Sequence, residues 1–362
     1  MADFEAVNGV LASSIEAVNG TAKSSIENIN GLTTPRAAGA SQWAVSAADA
    51  GIAYAANSDL TSWTSYETVA SESTDYRTIA AGRDDSDNLL WVVGWSQNPK
   101  EIMYSSDITN TSGFSDVNLA GGVHDVCFGN HDGGVWIAVG NNTGSRKAVY
   151  RSTDGASWSE VDISGVTGVN TATIYTVGSS GSKFMLAQQD RLYTSSDGSS
   201  WSLAHDFDDS NIAIYDLKFT NNTWILLVIR SSGGGGSGAY VRTAAASDVT
   251  DWSAEQNINI GTSARRFAAG GGQALFINSN DCQLVTVDGK TCTLATYTAN
   301  QLPSSNARDV ATDGTTWMVV HDSGDISTST DGASFTLSKD ALEIDGSVHD
   351  LDAVACDVLL PV

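Results

Sequence analysis

Seven pairs of residues in this chain combine reactive or charged side chains with a regular setting, each just ahead of a short apolar run. The first members are Arg77, His124, Ala172, Tyr215, Arg265, Arg308 and His349. The second members are Thr78, Asp125, Thr173, Asp216, Arg266, Asp309 and Asp350. Five of the seven first members can carry positive charge, in a 362-residue chain with 18 basic residues, 42 acidic residues and a formal net charge of −24. Guanidinium, imidazole and phenol groups brought together suit an anion or a sugar acid, because arginine grips a carboxylate and an aromatic face packs on a ring. The candidate ligand-binding residues are therefore Arg77, His124, Tyr215, Arg265, Arg308 and His349. The alternation of basic with acidic neighbours equally suits a ring of ion pairs that tie neighbouring elements together.

Other chemistry finds little support in the sequence. The five histidines lie far apart without His-x-x-x-His spacing, and no calcium loop with a distal glutamate appears, so no metal and no cofactor are expected. The acidic stretches Asp84-Asp85-Ser86-Asp87 and Asp206-Phe207-Asp208-Asp209 read as solvated turns. Cys127, Cys282, Cys292 and Cys356 form no Cys-x-x-Cys pair and read as free thiols. No Gly-x-Ser-x-Gly elbow is present, and no catalytic residue is assigned. The negative charge disfavours nucleic-acid backbones and anionic membrane surfaces. The longest clean apolar run, Trp224–Ile229, is far short of a membrane span, and no signal peptide is visible.

The elements that must position the seven pairs are legible as repeats. Tyr150-Arg-Ser-Thr-Asp154-Gly-Ala-Ser-Trp158, Tyr193-Thr-Ser-Ser-Asp197-Gly-Ser-Ser-Trp201 and Ser327-Thr-Ser-Thr-Asp331-Gly-Ala-Ser-Phe335 are three copies of one phrase. Weaker copies place Asp59, Asp248 and Asp288 four residues before Trp63, Trp252 and Cys292, and a stretched copy runs from Asp107 to Phe114. Upstream of each phrase lies an apolar segment around Trp43, Trp91, Trp136, Phe184, Trp224, Phe276 or Trp317. The phrases end at intervals of 40 to 51 residues. Several short strands per unit at that period are the signature of a β-propeller blade. The expected fold is all-β with seven blades, residues 37–362, following a separate segment, residues 1–36. Val348-His-Asp-Leu-Asp-Ala353 reads as an orphan first strand, and blade one lacks one, so the C-terminal strand should complete blade one and close the ring.

Each Asp-Gly supplies turn chemistry: the carboxylate caps the turn backbone and glycine accepts a left-handed conformation. The phrase resembles the Asp-box, Ser-x-Asp-x-Gly-x-Thr-Trp, of sialidase-type (BNR-like) propellers, with glycine directly after aspartate and one residue fewer. By that resemblance Asp59, Asp154, Asp197, Asp248, Asp288 and Asp331 are structural turn residues. The resemblance extends to architecture and not to activity. The Arg-Ile-Pro phrase that opens sialidase domains is missing, and no convincing Tyr/Glu nucleophile pair stands out.

Residues 4–33 repeat every 11 residues, as Phe4-Glu-Ala-Val-Asn-Gly9, Ile15-Glu-Ala-Val-Asn-Gly20 and Ile26-Glu-Asn-Ile-Asn-Gly31. Phe4, Val7, Leu11, Ile15, Val18, Ile26 and Ile29 fall on one stripe at helical spacing, an anchoring face that needs a partner. The Asn-Gly pairs oppose one continuous helix, so short helical turns are the alternative. These repeats resemble segments of tailed-phage structural proteins. That resemblance implies a non-enzymatic virion component, such as a tail, fibre-adaptor or capsid-decoration protein, displaying a propeller for protein or host-glycan binding. Its partners would be other virion proteins, a host surface glycan or receptor, and further copies of itself. The alternative is a sialidase-like protein that binds or cleaves glycans.

Overall fold

The structure is a computed structural model describing residues 42–47, 51–67, 76–95, 101–109, 114–130, 134–141, 148–170, 172–231, 236–296, 302–344 and 346–357, with six two-residue stretches before residue 34. Among the described residues, seven four-stranded antiparallel sheets succeed one another and no helix occurs. The innermost strands of blades 2 to 7 are Tyr76–Arg83, Val123–Gly129, Thr176–Ser179, Ile212–Thr220, Arg266–Gly270 and Ala307–Thr312. Blade 1 is closed as the orphan strand predicts: Leu351–Cys356 pairs antiparallel with Gln42–Ala47. The joint is reinforced where the backbone N–H of Asp357 donates to the Gln42 carbonyl and the Gln42 N–H donates to Asp357 Oδ1. Closure removes the free edge that would otherwise invite pairing with another chain.

The core lies between blades. The second strands, such as Leu89–Trp95, Val135–Gly140 and Thr223–Arg230, are apolar without alternation because both of their faces are covered. Trp43, Trp91, Trp136, Phe184, Trp224 and Phe276 are fully buried at equivalent positions, and Trp317 nearly so. Each packs into a cluster spanning two sheets, as where Val135, Ile137 and Val139 of blade 3 meet Phe184, Leu186 and Tyr193 of blade 4.

The aspartate turns join third strands to fourth strands and come in two chemical types. At Asp154, Oδ1 accepts hydrogen bonds from the Ala156 and Ser157 N–H groups at 2.9 and 2.6 Å and from Ser152 Oγ at 2.8 Å. The indole of Trp158 then donates back to the Gly155 carbonyl at 2.9 Å. Asp197 and Asp331 repeat the carboxylate contacts, and Trp201 repeats the indole bond, which Phe335 has no N–H to make. At Asp59, Asp107 and Asp248 the partner is a threonine two residues on, whose N–H and hydroxyl both donate to the carboxylate. Asp288 holds its turn differently, pairing with Thr291 across a two-residue hairpin at Gly289 and Lys290.

The helical expectation for the leader does not hold where the leader is described. Ala6–Val7 pairs antiparallel with Val10–Leu11, Ala17–Val18 with Thr21–Ala22, and Asn28–Ile29 with Leu32–Thr33. In each case Asn-Gly separates the two strands, the strongest short hairpin signal there is. Val7, Leu11, Val18 and Ile29 of the anchoring face fall in these ladders. Phe4, Ile15 and Ile26 lie outside the described residues.

Candidate functional site at the channel mouth

The innermost strands of five blades enter their sheets through a register shift, between Tyr76 and Thr78, Val123 and Asp125, Ile214 and Asp216, Ala307 and Asp309, and Leu351 and Ala353. The extra residues at these shifts are Arg77, His124, Tyr215, Arg308 and Asp352. In blades 4 and 6 the ladders begin at Thr176 and Arg266, directly after Tyr175 and Arg265. A bulge re-aims a side chain away from the pleat, and here the seven residues converge. All seven line one cavity of about 560 Å³, together with Arg266, Asp322, Asp350 and backbone and polar groups of blades 6 and 7.

Five of the six predicted ligand residues are therefore brought together: Arg77, His124, Tyr215, Arg265 and Arg308. His349 is not among the lining residues; Asp352 takes its place in blade 1, and Tyr175 takes the place of Ala172 in blade 4. The cause is an apolar residue one place ahead of the ring residue in both blades. Ile174 and Leu351 are fully buried and pass for the first residue of the strand proper. The pattern that finds the ring is apolar, two ring positions, apolar: Val123-His-Asp-Val126, Ile174-Tyr-Thr-Val177, Ile214-Tyr-Asp-Leu217, Leu351-Asp-Ala-Val354.

One side of the mouth is an aromatic and cationic arc. The His124 ring meets Tyr175 edge-on at 5.5 Å, Tyr175 stacks on Tyr215 at 5.7 Å, and the Arg265 guanidinium lies 4.2 Å over the Tyr215 ring. Arg265 Nη1 donates to the carbonyls of Thr262 and Ala264, which fixes the arginine in that pose. Burial lowers the pKa of His124, while its hydrogen bond with Asn141 acts in the opposite direction. On the other side Arg308 is hydrogen-bonded and ion-paired to Asp322, with Asp350 and Asp352 close enough to act on it.

Beneath the mouth the next residues form an inner ring that works as a set of staples. Asp125 Oδ2 accepts the Val177 N–H of the next blade at 3.0 Å, Asp216 Oδ2 accepts the Phe267 N–H at 3.0 Å, and Asp309 Oδ2 accepts the Val354 N–H at 3.0 Å. The ties between blades are thus carboxylate to backbone, in addition to any ion pair. Lys218 donates to Asp216 at 2.7 Å; burial works against its charge, but Asp216 and Asp125 outweigh it and raise the pKa. Arg266, absent from the predicted set, reaches across the channel, where Nη2 donates to the carbonyls of Arg77 and His124, both at 3.4 Å. Burial pushes the Asp309 carboxyl up to about 6, although Arg266, the Val354 N–H and Lys218 oppose the shift.

Among the described residues, no group of three or more His, Cys, Asp or Glu is arranged to hold a metal ion. No described helix is long and apolar enough to cross a membrane.

No family model matches the chain, and no curated protein matches it. Among solved structures it is similar to a protein from Lactobacillus plantarum at 11% identity and a TM-score of 0.57, covering 87% of this chain and 99% of that one. It is also similar to YCF48 from Cyanidioschyzon merolae at 12% identity and a TM-score of 0.53, covering 80% of this chain and 96% of that one. The GH74 enzyme of Niastella koreensis aligns with a TM-score of 0.36 at 13% identity, over 79% of this chain and 53% of its own. At 11–12% identity the likeness to the first two is one of fold, the propeller.

Proposed function

We propose that this chain is a non-enzymatic display propeller that binds an anionic or sugar-like ligand at the channel mouth, and that it serves as an attachment or structural component of a phage virion. The observation that carries the binding role is the composition of the mouth. Four of the chain's 11 arginines line one cavity of about 560 Å³ beside a pair of stacked tyrosines, in a chain of net charge −24. That volume lies in the range of small-ligand sites, and the few polar groups converge from different blades. The virion role rests on the leader's resemblance to tailed-phage repeats, with the leader contacting other virion proteins. The test is titration of the full chain with a panel of anionic and neutral host-surface glycans, alongside Arg77→Ala and Tyr215→Ala. Binding that both variants weaken supports the reading. A ligand bound equally by all three proteins places recognition elsewhere and overturns it.

A second reading, a sialidase-like glycosidase, is favoured by one observation: Arg77, Arg265 and Arg308 share the cavity with two tyrosines and with Asp322, Asp350 and Asp352. Release of fluorophore from a fluorogenic sialoside or uronide would establish it. Among the described residues no glutamate lines the cavity to activate a tyrosine.

A further inference from the structure

We propose that the mouth takes up a small oxyanion together with one proton, and that the proton settles on Asp309 beneath Arg266. The inference rests on the mouth being an anion-binding cup, as proposed above.

Arg266 lies at the floor of the cavity, and its guanidinium carries five N–H donors. Among the described residues only Nη2 has protein acceptors, the carbonyls of Arg77 and His124, and both bonds are long at 3.4 Å. Asp125, Asp216 and Asp309 act on it through space without forming an ion pair among the described residues. A guanidinium so placed has donors left for an oxyanion entering from above.

The groups beneath it set what that anion meets. Arg266 of blade 6 and Lys218 of blade 5 supply two positive charges; Asp125 of blade 3, Asp216 of blade 5 and Asp309 of blade 7 supply three negative ones. Closer to the mouth stand Arg308, already paired with Asp322, and Asp350 and Asp352 of the closing segment. The inner ring thus holds one surplus carboxylate, which repels an anion bound at Arg266. Of the three, Asp309 is the one able to give up its charge. Asp125 accepts from Thr78, Val126, Thr176 and Val177. Asp216 accepts from Leu217, Phe267 and the Lys218 ammonium, and shares the single Thr176 hydroxyl proton with Asp125. Asp309 accepts from the Val354 and Val310 N–H groups, and burial already raises its carboxyl to about 6. An anion arriving beside Arg266 raises it further, so binding draws in a proton.

The probe is glucuronate, whose carboxylate stays ionised between pH 5.5 and 7.5. Calorimetry on the full chain is expected to show affinity roughly five- to tenfold tighter at pH 5.5 than at pH 7.5, the effect of about one added unit of Asp309 pKa. Repeating the titration at pH 6.5 in two buffers of different ionisation enthalpy is expected to show net proton uptake by the unaltered protein. Asp309→Asn should bind at pH 7.5 as tightly as the parent at pH 5.5 and take up no proton. His124 faces the same cavity and titrates in the same direction, so His124→Gln is the companion variant and should keep the pH dependence. Equal affinity at both pH values without proton uptake overturns the linkage and leaves the cup standing. A pH dependence lost in His124→Gln but kept in Asp309→Asn overturns the assignment to Asp309. Failure of glucuronate to bind at either pH overturns cup and linkage together.

Discussion

Replacing Asp309 by asparagine should stabilise the folded chain at neutral pH, against the usual result of altering a hydrogen-bonded carboxylate. The Asp309 carboxyl moves from 3.8 in the reference state to about 6 in the fold, with burial as the largest cause. A folded pKa above the unfolded one means the native state holds the proton more tightly. Its contribution is therefore fully present below about pH 4 and is lost as the pH rises through about 6. At 1.36 kcal/mol per pKa unit the ionised form costs about 3 kcal/mol at pH 7.5. The side chain is only half-buried, so solvent screening reduces this to about 1–2 kcal/mol. Asparagine keeps an oxygen to accept the Val354 N–H and carries no charge, so it mimics the protonated acid. Denaturant unfolding of parent and variant, run side by side from pH 7.5 to pH 4, isolates the effect from the other acidic residues. Asp309→Asn should be the more stable protein at pH 7.5, and the advantage should vanish by pH 4. A variant less stable than the parent at pH 7.5, or a difference that does not change with pH, would refute the reasoning.

The turns offer a sharper steric contrast. Gly155 sits at φ +69°, and an added Cβ would fall 2.1 Å from Leu90 Cδ2 of the preceding blade, whereas at Gly271, φ +60°, it would meet nothing within 4 Å. Gly155→Ala should cost roughly 2–4 kcal/mol and Gly271→Ala about 1 kcal/mol, a gap that thermal melts can read. Asp197, held down to about 2 by the Ser200 and Ser199 N–H groups against the opposing effect of burial, contributes stability present above about pH 4 and lost as the pH falls toward 2. Asp197→Ala should cost about 1 kcal/mol at pH 7 and nothing once the carboxylate is protonated. Burial pushes the Cys282 thiol to about 12 and the Cys127 thiol well up from its usual value. Mass-spectrometric mapping at pH 8 should find neither labelled by a maleimide in the native protein, and both labelled in denaturant.

The sequence made the propeller legible because two signals agreed. Bulky residues recurred at the blade period, and aspartate turns stood at a fixed offset from them. The closing strand was legible from a first strand without a second. The ring was legible in five blades and misaligned in two, because Ile174 and Leu351 are apolar and buried yet stand one place ahead of the ring residue. In blade 1 the bulge adds a residue without altering the apolar pattern, and in blade 4 the ladder starts only at Thr176, so counting from the first apolar position slips in both. Arg266 was overlooked for a different reason: its role depends on reaching across the channel to blades 2 and 3, which no local spacing encodes. The leader shows how one spacing serves two structures. In a two-residue hairpin the residues flanking the turn are three apart and pair across the ladder, as Val7 pairs with Val10. Three apart is also a helical step, and Asn-Gly decides between them.

An odd number of blades bears directly on how the channel is held together. From blade 2 to blade 1 the inner-ring residues are Thr78, Asp125, Thr176, Asp216, Arg266, Asp309 and Ala353. Each aspartate caps an N–H on the blade that follows it, so carboxylates can occupy alternate blades and no more without facing one another. With seven blades the alternation cannot close, and one junction is flanked by no inner-ring aspartate: that of Ala353 in blade 1 with Thr78 in blade 2. There the contact is apolar instead, with Ala353 and Ala355 packed in one cluster with Ile79, Trp91 and Val93. The junction before it, between blades 7 and 1, holds the C-terminal strand that completes blade 1, and its staple is Asp309. The carboxylate that helps fasten the ring is thus also the one whose charge the channel tolerates least. Its hydrogen bond to Val354 needs only an oxygen acceptor and survives protonation, which is why the closure can hold while the charge beneath the mouth changes.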